Sequence, residues 1–269
     1  MHSGNTGIPE HASYKLGVVS FLNARPLVYE LDQDPRVDLT FDVPSKLADM
    51  LIADRVDSAL IPVVDLFCCD KALKVVSDGC IGSDGRTMTV RIFSKLPADE
   101  MTHLYADTDS HTSIILSKVI WQEQYGRSIH IIPLKGPLPK DAQAVMLIGD
   151  KVVQADLPQM EFDADLGLAW KTLTGLPFVF AAWAARAEAK LADLPAILET
   201  ARDRGVDQAA RIAQIQGPNL GWPTGLALEY LSDCLRFTLN DRMREGMNVF
   251  FDLARKHGFL SFDRELVFA

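Results

Sequence analysis

Ser20-Phe21-Leu22-Asn23-Ala24-Arg25-Pro26-Leu27 directly follows the apolar segment Leu16-Gly17-Val18-Val19. The apolar segment predicts a buried strand, and Pro26 is typical of the first helical position because its missing N–H would be unpaired there. The stretch therefore predicts a strand-to-helix turn, which is where open α/β sheets bind small ligands. Asn23 lies just before the predicted helix and predicts an anion pocket beside free backbone donors, although an ordinary helix cap is the alternative.

The composition is that of a globular protein with a large core. The chain has 269 residues, of which 48% are hydrophobic and 23% charged, so one large or two medium α/β lobes fit. The net charge of -9 argues against nucleic acid as the main partner, but it permits a small anionic ligand. The sequence has no long apolar run and no signal-peptide pattern, so we expect a cytoplasmic protein without a membrane partner.

The cysteines do not predict a metal centre or a disulfide framework. Cys68, Cys69, Cys80 and Cys234 have spacings that fit neither, so we interpret them as reduced and structural. No glycine-rich phosphate loop follows a strand, and no His/Cys cluster has ligand spacing. The sequence therefore predicts neither a metal nor a cofactor.

Strand and helix patterns alternate along most of the chain, which predicts a mostly parallel sheet. Residues 1–14 are predicted to form a disordered tail. Helices are predicted near 26–31, from Pro44 onward, over 114–121, and along the stripes Leu228/Leu231/Leu235 and Met243/Met247/Phe250/Ala254, the second ending at Gly258. Strands are predicted at 16–19, 39–43, 58–63, 73–76, 87–94, 102–106, 129–132, 144–148 and 176–183.

The order of these elements predicts two lobes joined by two strand crossings. Residues 15–94 and 179–269 form the first predicted lobe, and residues 95–178 form the second. The polar strand-to-helix turns at residues 20–26, 107–113 and 149–150 are then expected to face one cleft. The sequence thus predicts a hinged α/β protein with its ligand between the lobes.

Several polar residues at the predicted turns are candidates for binding a ligand. Ser110, Thr112 and Ser113 offer hydroxyl groups at a helix start, and ordinary capping accounts for one of them but not all three. Gly149 and Asp150 end another strand. Asp150 either orients a donor in the cleft or is a solvated carboxylate at the end of a strand.

Charged residues near these turns are weaker candidates. His111 is conceivable as a proton acceptor, but a solvent-facing histidine in a first helical turn is the more ordinary interpretation. Arg25, Arg86 and Arg91 are possible carboxylate partners, yet side-chain alternation prevents all of them from entering one pocket. We therefore assign no catalytic role to these four residues.

The chain resembles the chorismate dehydratase family of the futalosine menaquinone pathway. The motifs that carry the resemblance extend through most of residues 15–186, and the last of them is long and specific. They are SFLN (20–23), GSDGRTMT (82–89), SHTS (110–113), LIGD (147–150) and DLGLAWKTLTGLPFVF (165–180).

The resemblance implies a fold similar to type 2 periplasmic binding proteins and a cofactor-free hydro-lyase. It implies conversion of chorismate to 3-[(1-carboxyvinyl)oxy]benzoate and water, with Asn23 and the residue at position 89 in substrate binding and turnover. The family has serine where this chain has Thr89, which keeps the hydroxyl group and adds a methyl group. A second departure is His111, where arginine is frequent. We also predict substrate-binding roles for Ser20, Ser110, Thr112, Ser113, Gly149 and Asp150.

The implied chemistry is mainly a task of positioning. Loss of the C4 hydroxyl group and the C3 proton makes the ring aromatic, so the enzyme has to hold a dianion in one conformation. Helix N-termini and uncharged donors suit that task. Because no placed carboxylate or histidine resembles a general base, our hypothesis is that the enolpyruvyl carboxylate of the substrate removes its own C3 proton, held by Asn23 and Thr89.

Two alternative functions remain open from the sequence. One is 1,4-dihydroxy-6-naphthoate synthase of the same pathway, which shares the fold but has a Pro-Asn-Asp-Thr-like turn that is absent here. The other is a non-catalytic small-anion-binding protein. Incubation with chorismate distinguishes the second alternative from a dehydratase, because a receptor binds the compound without the ultraviolet change that accompanies aromatisation.

Overall fold

The computed structural model describes residues 13–67, 71–157, 159–262 and 265–268. Residues 1–12 of the predicted tail, together with Cys68 and Cys69, lie outside the described residues. Tyr14 was expected in the tail but begins the first strand, and its hydroxyl donates a hydrogen bond to the Leu191 carbonyl at 3.0 Å. The first strand therefore begins two residues before the predicted strand 16–19.

The first sheet has six strands in the spatial order β11-β4-β10-β3-β1-β2. Its central strands β3 and β10 are buried almost throughout, in agreement with their continuous apolar sequences. In chain order the strands are β1 (Tyr14–Val19), β2 (Val37–Asp42), β3 (Ser58–Pro62), β4 (Leu73–Ser83), β10 (Phe178–Arg186) and β11 (Leu235–Thr238).

The second sheet has five strands in the order β7-β6-β8-β5-β9. Its strands are short, and side chains on β5 alternate between buried and half-buried positions. In chain order they are β5 (Val90–Ser94), β6 (His103–Ala106), β7 (His130–Pro133), β8 (Ala144–Ile148) and β9 (Phe162–Asp165).

Both sheets are mixed, so the prediction of a mostly parallel sheet is wrong. β1 pairs in parallel with β2 and β3, and β6 pairs in parallel with β7 and β8. β10 is antiparallel to β3 and β4, while β5 is antiparallel to β8 and β9. β4 leads towards the second sheet and β10 returns from it, so these two neighbouring strands run in opposite directions.

The chain passes between the sheets twice, after β4 and before β10. These two strands are neighbours in the first sheet, so both crossings lie side by side. The predicted first lobe includes residues up to 94 and so includes β5, but β5 pairs with β8 and β9 in the second sheet. The exact division into lobes stays a prediction, but the crossing brings residues 84–89 between the two sheets.

Helices cover both sheets, and two of them match their predicted faces. α1 begins at Pro44 and buries Leu47, Met50 and Leu51. α8 has its predicted buried stripe and ends at Lys256, shortly before Gly258. The helices are α1 (Pro44–Ile52), α2 (His111–Tyr125), α3 (Asp150–Gln154), α4 (Leu166–Thr174), α5 (Leu194–Asp207), α6 (Ala209–Ile215), α7 (Thr224–Glu229) and α8 (Asp241–Lys256). The 3-10 helices are Leu22–Val28, Leu31–Gln33, Val63–Leu66, Ala98–Glu100 and Pro218–Leu220.

Two predicted helical patterns are wrong. Pro26 lies inside the 3-10 helix Leu22–Val28 and not at a first helical position, and Asn23 is the second residue of this helix. The predicted stripe from Leu228 to Leu235 crosses three elements, because α7 ends at Glu229, a π turn follows over Tyr230–Cys234, and Leu235 begins β11. β11 pairs with β4, which overrides the helical spacing of the leucines.

Cys80 and Cys234 are free thiols within the core, and burial raises the pKa of the Cys80 thiol to about 12. Of the helices in the described residues, none is long and apolar enough to cross a membrane.

Candidate active site

A cleft lies between the two sheets, where polar turns follow β1, β4, β6 and β8. Its empty volume is about 460 Å³, including its mouth. Phe21, Ile81, Ile148 and Phe180 are among its apolar walls. Its side-chain hydrogen-bonding groups belong to Asn23, Thr87, Thr89, Ser110, Ser113 and Tyr230. None of the lining side chains in the described part of the chain is charged, so a ligand is recognised here by neutral donors and acceptors.

Asn23 reaches the cleft from the 3-10 helix that follows β1. Its carbonyl Oδ1 is buried and has no hydrogen-bond partner within the described residues. Its side chain also lies near the Tyr230 hydroxyl, where it favours the ionised phenol against the larger effect of burial, which raises the pKa of Tyr230. A buried unpaired acceptor costs free energy, and a ligand donor in the cleft would relieve that cost.

Thr89 reaches the cleft from the segment between β4 and β5, just before the strand in which it was expected. Its side chain is buried, and its Oγ1 lies 2.6 Å from the Tyr230 hydroxyl oxygen. Its carbonyl accepts a hydrogen bond from the Gly149 N–H at 2.8 Å, which ties this segment to the end of β8. Asn23 and Thr89 therefore meet at the same phenol.

The segment that carries Thr89 is held by Asp165, the first residue of the long motif. The Asp165 carboxylate accepts hydrogen bonds from the N–H groups of Thr87 at 3.0 Å and Met88 at 2.7 Å, and it also caps α4 through the N–H of Leu168. Met88 has φ of +67°, a left-handed conformation that is rare for a residue with a side chain. Asp165 thus stabilises a strained turn beside the candidate catalytic threonine.

Close packing around position 167 requires the glycine that the same motif has there. A Cβ atom at Gly167 would lie 2.5 Å from the Gly85 carbonyl oxygen and 2.6 Å from Ser83 Oγ. The start of α4 therefore packs directly on the backbone of the Thr89 segment, and a side chain at Gly167 would displace it.

Ser110 and Ser113 line the cleft at the start of α2, as predicted. Ser110 caps the helix, since its Oγ accepts the N–H of Ser113, and the two hydroxyl oxygens are 3.0 Å apart. Thr112 points elsewhere, because its hydroxyl oxygen accepts the N–H of Val64 at 3.4 Å and its side chain does not line the cleft. The structure therefore places two of the three predicted hydroxyl groups at the cleft.

Gly149 lines the cleft through its backbone. Its φ of +60° lies in the left-handed region, and a Cβ atom would be 2.6 Å from the ring of Phe21. Only glycine fits this close approach without moving Phe21. The N–H of Gly149 is already donated to Thr89, so its contribution is to shape the cleft wall.

Asp150 follows Gly149 but is turned away from the cleft lining. Its carboxylate accepts the N–H of Leu22 at 3.2 Å and the indole Nε1–H of Trp222 at 2.9 Å. Burial raises the pKa of Asp150, and both hydrogen bonds oppose that rise. Asp150 lies at the end of the second sheet and its donors lie on segments beside the first, so it connects the two lobes next to Asn23.

Ser20 and the three arginines do not line the cleft. The Ser20 carbonyl accepts a hydrogen bond from Arg25, whose guanidinium stacks 4.5 Å over the Phe41 ring. Arg86 pairs with Glu229 at 2.9 Å, and Arg91 pairs with Asp163. The cations near the predicted turns are therefore engaged in structural contacts.

His111 pairs with a buried aspartate outside the cleft. Its Nδ1 lies 2.8 Å from Asp65 Oδ1, and this hydrogen bond raises the pKa of His111. Burial raises the pKa of Asp65 as well, because the ionised carboxylate is poorly solvated there. His111 is thus a bridge between α2 and the 3-10 helix after β3, with no access to a ligand in the cleft.

Tyr230, like Thr87, is a polar cleft residue to which no sequence pattern pointed. It is 1% exposed, and its ring stacks on Trp222 with centroids 4.8 Å apart. Burial raises the pKa of its phenol, which is therefore neutral at physiological pH. In the sequence, Tyr230 lies within the stretch that was predicted as one helix along Leu228, Leu231 and Leu235. The structure has a π turn over Tyr230–Cys234 instead, and π turns are frequent at functional sites.

A family model described as menaquinone biosynthesis matches residues 14–256 of the chain. The chain belongs to the menaquinone biosynthesis family. Among curated proteins, this family member is 27% identical over 256 residues to a chorismate dehydratase of Thermus thermophilus, covering 88% of this chain and 93% of the relative. The predicted family resemblance is confirmed.

Solved structures similar to this menaquinone biosynthesis family member show the fold. A protein of Archaeoglobus fulgidus superposes with a TM-score of 0.71 at 10% identity, covering 93% of this chain and all of the other. The alkanesulfonate-binding protein SsuA of Xanthomonas axonopodis superposes with a TM-score of 0.66 at 13% identity, covering 95% of this chain and 96% of the other. A Candida albicans protein with the periplasmic binding protein fold superposes with a TM-score of 0.61 at 11% identity, covering 94% of this chain and 92% of the other. The predicted two-lobed α/β fold of this type is confirmed.

Proposed function

We propose that the protein is a chorismate dehydratase, a carbon–oxygen lyase that converts chorismate to 3-[(1-carboxyvinyl)oxy]benzoate and water in menaquinone biosynthesis. The observation that carries the proposal is that Asn23 and Thr89 meet in one cleft at Tyr230. The relative with this activity in Thermus thermophilus supports it, because the similarity extends over nearly the whole of both chains.

The cleft suits a small dianion that also has a hydroxyl group. The start of α2 contributes Ser110 and Ser113 to the lining, and a helix N-terminus favours a carboxylate at that end. Asn23 and Thr89 contribute a neutral acceptor and a hydroxyl to the same cleft. We therefore place one carboxylate of chorismate at α2 and the reacting part of the ring at Asn23 and Thr89.

The lining of the cleft supports substrate-assisted proton removal. Neither a carboxylate nor a histidine belongs to the lining within the described residues, and His111 is paired with Asp65 elsewhere. In the proposed reaction the enolpyruvyl carboxylate takes the C3 proton, the electron pair forms the new ring double bond, and the C4–O bond breaks. The departing oxygen leaves as water once it has taken up a proton, and the carboxylate regains its charge.

A product assay tests the function. Purified protein is incubated with chorismate, and 3-[(1-carboxyvinyl)oxy]benzoate is followed by its ultraviolet absorbance and by chromatography. We expect product from the wild-type protein and from His111→Ala, and a rate lower by on the order of 10²-fold from Asn23→Ala, the loss typical of one positioned polar group.

Each other outcome contradicts a part of the proposal. Binding of chorismate without product would indicate a non-catalytic anion receptor, and neither binding nor product would favour a different step of menaquinone biosynthesis. Loss of activity in a folded His111→Ala would contradict the assignment of the proton to the substrate carboxylate. Unfolding measured by circular dichroism is the control for all variants.

A further inference from the structure

Tyr230 is the central member of a group of three polar side chains. Its phenol lies 2.6 Å from Thr89 Oγ1, and the Asn23 side chain lies near the same phenol. The three residues come from a 3-10 helix after β1, from the segment before β5 and from the π turn after α7. They approach each other only in the folded chain, and all three line the cleft.

One arrangement of the donors and acceptors in this group leaves one of each for a ligand. If the Asn23 Nδ2–H donates to the phenol oxygen, the phenol O–H is directed to Thr89 Oγ1, and the Thr89 hydroxyl hydrogen remains for a ligand. Asn23 Oδ1 is then the acceptor that remains, in agreement with its being buried and unpaired within the described residues. The group thus offers the cleft one acceptor and one donor at fixed places.

We propose that Tyr230 is a positioning residue that fixes Asn23 as a hydrogen-bond acceptor and Thr89 as a hydrogen-bond donor toward the substrate. In the proposed dehydratase, on which this inference rests, Asn23 then accepts from the ring hydroxyl that leaves and Thr89 donates to an oxygen beside it. A neutral phenol suits this task, because it donates and accepts at the same time.

The surroundings of Tyr230 hold its ring in place. The ring stacks on Trp222 with an interplanar angle of 12°, and the indole of Trp222 is itself held by Asp150. The π turn begins at Tyr230, at the end of α7, and the phenol hydroxyl there meets Thr89. Removal of the hydroxyl alone therefore leaves the ring where it is.

The test is a double-mutant cycle with Tyr230→Phe and Thr89→Val, measured as kcat and KM for chorismate. Tyr230→Phe keeps the stacked ring, and we expect kcat to fall on the order of 10²-fold while KM changes much less, since the catalytic groups lose orientation. In the Thr89→Val background we expect Tyr230→Phe to cost at least about tenfold less, because its main acceptor has gone.

Tyr125→Phe is the matched control, because Tyr125 lies at the end of α2 with its ring beside Trp121 and does not line the cleft. It should keep the wild-type kcat. Denaturant unfolding and Trp fluorescence show whether Tyr230→Phe is folded, and 3-fluorotyrosine at position 230 retains the hydroxyl group and should retain most of the activity.

The proposal on Tyr230 is overturned if Tyr230→Phe keeps the wild-type kcat, if only KM rises, or if the two losses multiply in the double variant as they do for independent sites. Absence of product from the wild-type protein contradicts the proposed function itself. That result is distinguishable, because the wild-type protein is measured in the same assay before any variant.

Discussion

Thr89 combines a hydroxyl group at the candidate site with a methyl group in a place that leaves little room. The side chain is 1% exposed, and its neighbours are Tyr230 and the backbone at the end of β8. The β-branched threonine has a more restricted side chain than a serine would have, so its hydroxyl is directed with less freedom. The methyl group is therefore a stabilising as well as an orienting part of this site.

Substitutions at Thr89 separate these two contributions. Thr89→Val keeps the branched shape and removes the hydroxyl, and we expect kcat to fall on the order of 10²- to 10³-fold, as for other positioned donors. Thr89→Ser keeps the hydroxyl, so we expect kcat within about tenfold of wild type and a free energy of unfolding lower by about 1 kcal/mol, the cost of one buried methyl group. Steady-state kinetics and urea unfolding measure both.

The serine variant is the control for the valine variant, because both change the same buried position. A fully active Thr89→Val would contradict the role of the hydroxyl. A serine variant with unchanged stability would show that the methyl group makes no packing contribution.

At the scale of elements, the long motif at residues 165–180 supports the site mainly from behind, and of its residues only Phe180 lines the cleft. Asp165 ends β9, caps α4 and holds the segment before β5 through two backbone N–H groups. Gly167 lets α4 lie directly on that segment. The motif therefore determines where Thr89 stands, which is a positional task and not a chemical one.

Asp165→Ala tests this interpretation. Removal of the carboxylate leaves the N–H groups of Thr87, Met88 and Leu168 without their acceptor, and we expect the free energy of unfolding to fall by about 1–3 kcal/mol. Because the left-handed turn at Met88 loses its support, kcat should fall as well. Urea unfolding and the product assay measure the two effects.

Asp163→Ala is the matched control on the same strand. Asp163 pairs with Arg91 at a partly exposed position, so its loss should change the free energy of unfolding by no more than about 1 kcal/mol. Equal effects of the two substitutions would contradict a special role of Asp165.

At the scale of the whole molecule, Asp150 connects the two lobes beside the site. Its carboxylate accepts hydrogen bonds from the N–H of Leu22, next to Asn23, and from the indole of Trp222, which stacks on Tyr230. We predicted a substrate contact at this position, which stays untested, but the geometry favours a clasp between the lobes. The same residue then influences both candidate catalytic side chains.

Asp150→Ala leaves two buried donors without an acceptor, and we expect the free energy of unfolding to fall by about 1–3 kcal/mol. Asp150→Asn keeps one acceptor oxygen and removes a buried charge, so its cost should be smaller. Burial raises the pKa of Asp150 above its value in the unfolded chain. The free energy of unfolding therefore falls as the pH rises from the pKa of the unfolded chain through the pKa of the folded protein. The asparagine variant lacks this pH dependence. Small-angle X-ray scattering should give a larger radius of gyration for Asp150→Ala.

Asp156→Ala, at an exposed position shortly after α3, is the control for Asp150→Ala. Unchanged stability and an unchanged radius of gyration in Asp150→Ala would contradict the clasp between the lobes.

The sequence alone was sufficient for the local elements and the general place of the site. Continuous apolar runs predicted β3 and β10, helical spacing predicted α1 and α8, and the strand-to-helix turns located Asn23, Ser110 and Gly149 at one cleft. These predictions succeed because periodicity and turn chemistry act over a few residues.

Only the tertiary structure decided the pairing of the strands, the 3-10 form of Leu22–Val28 and the partners within the cleft. α5 packs backbone to backbone on that 3-10 helix at Gly205, where a Cβ atom would lie 2.0 Å from the Pro26 carbonyl oxygen, and so overrides the local preference of Pro26. Thr89 and Tyr230 are 141 residues apart, and no local pattern relates them. Their contact depends on how two sheets and a C-terminal π turn come together, and such long-range packing is not encoded in the spacing of neighbouring residues.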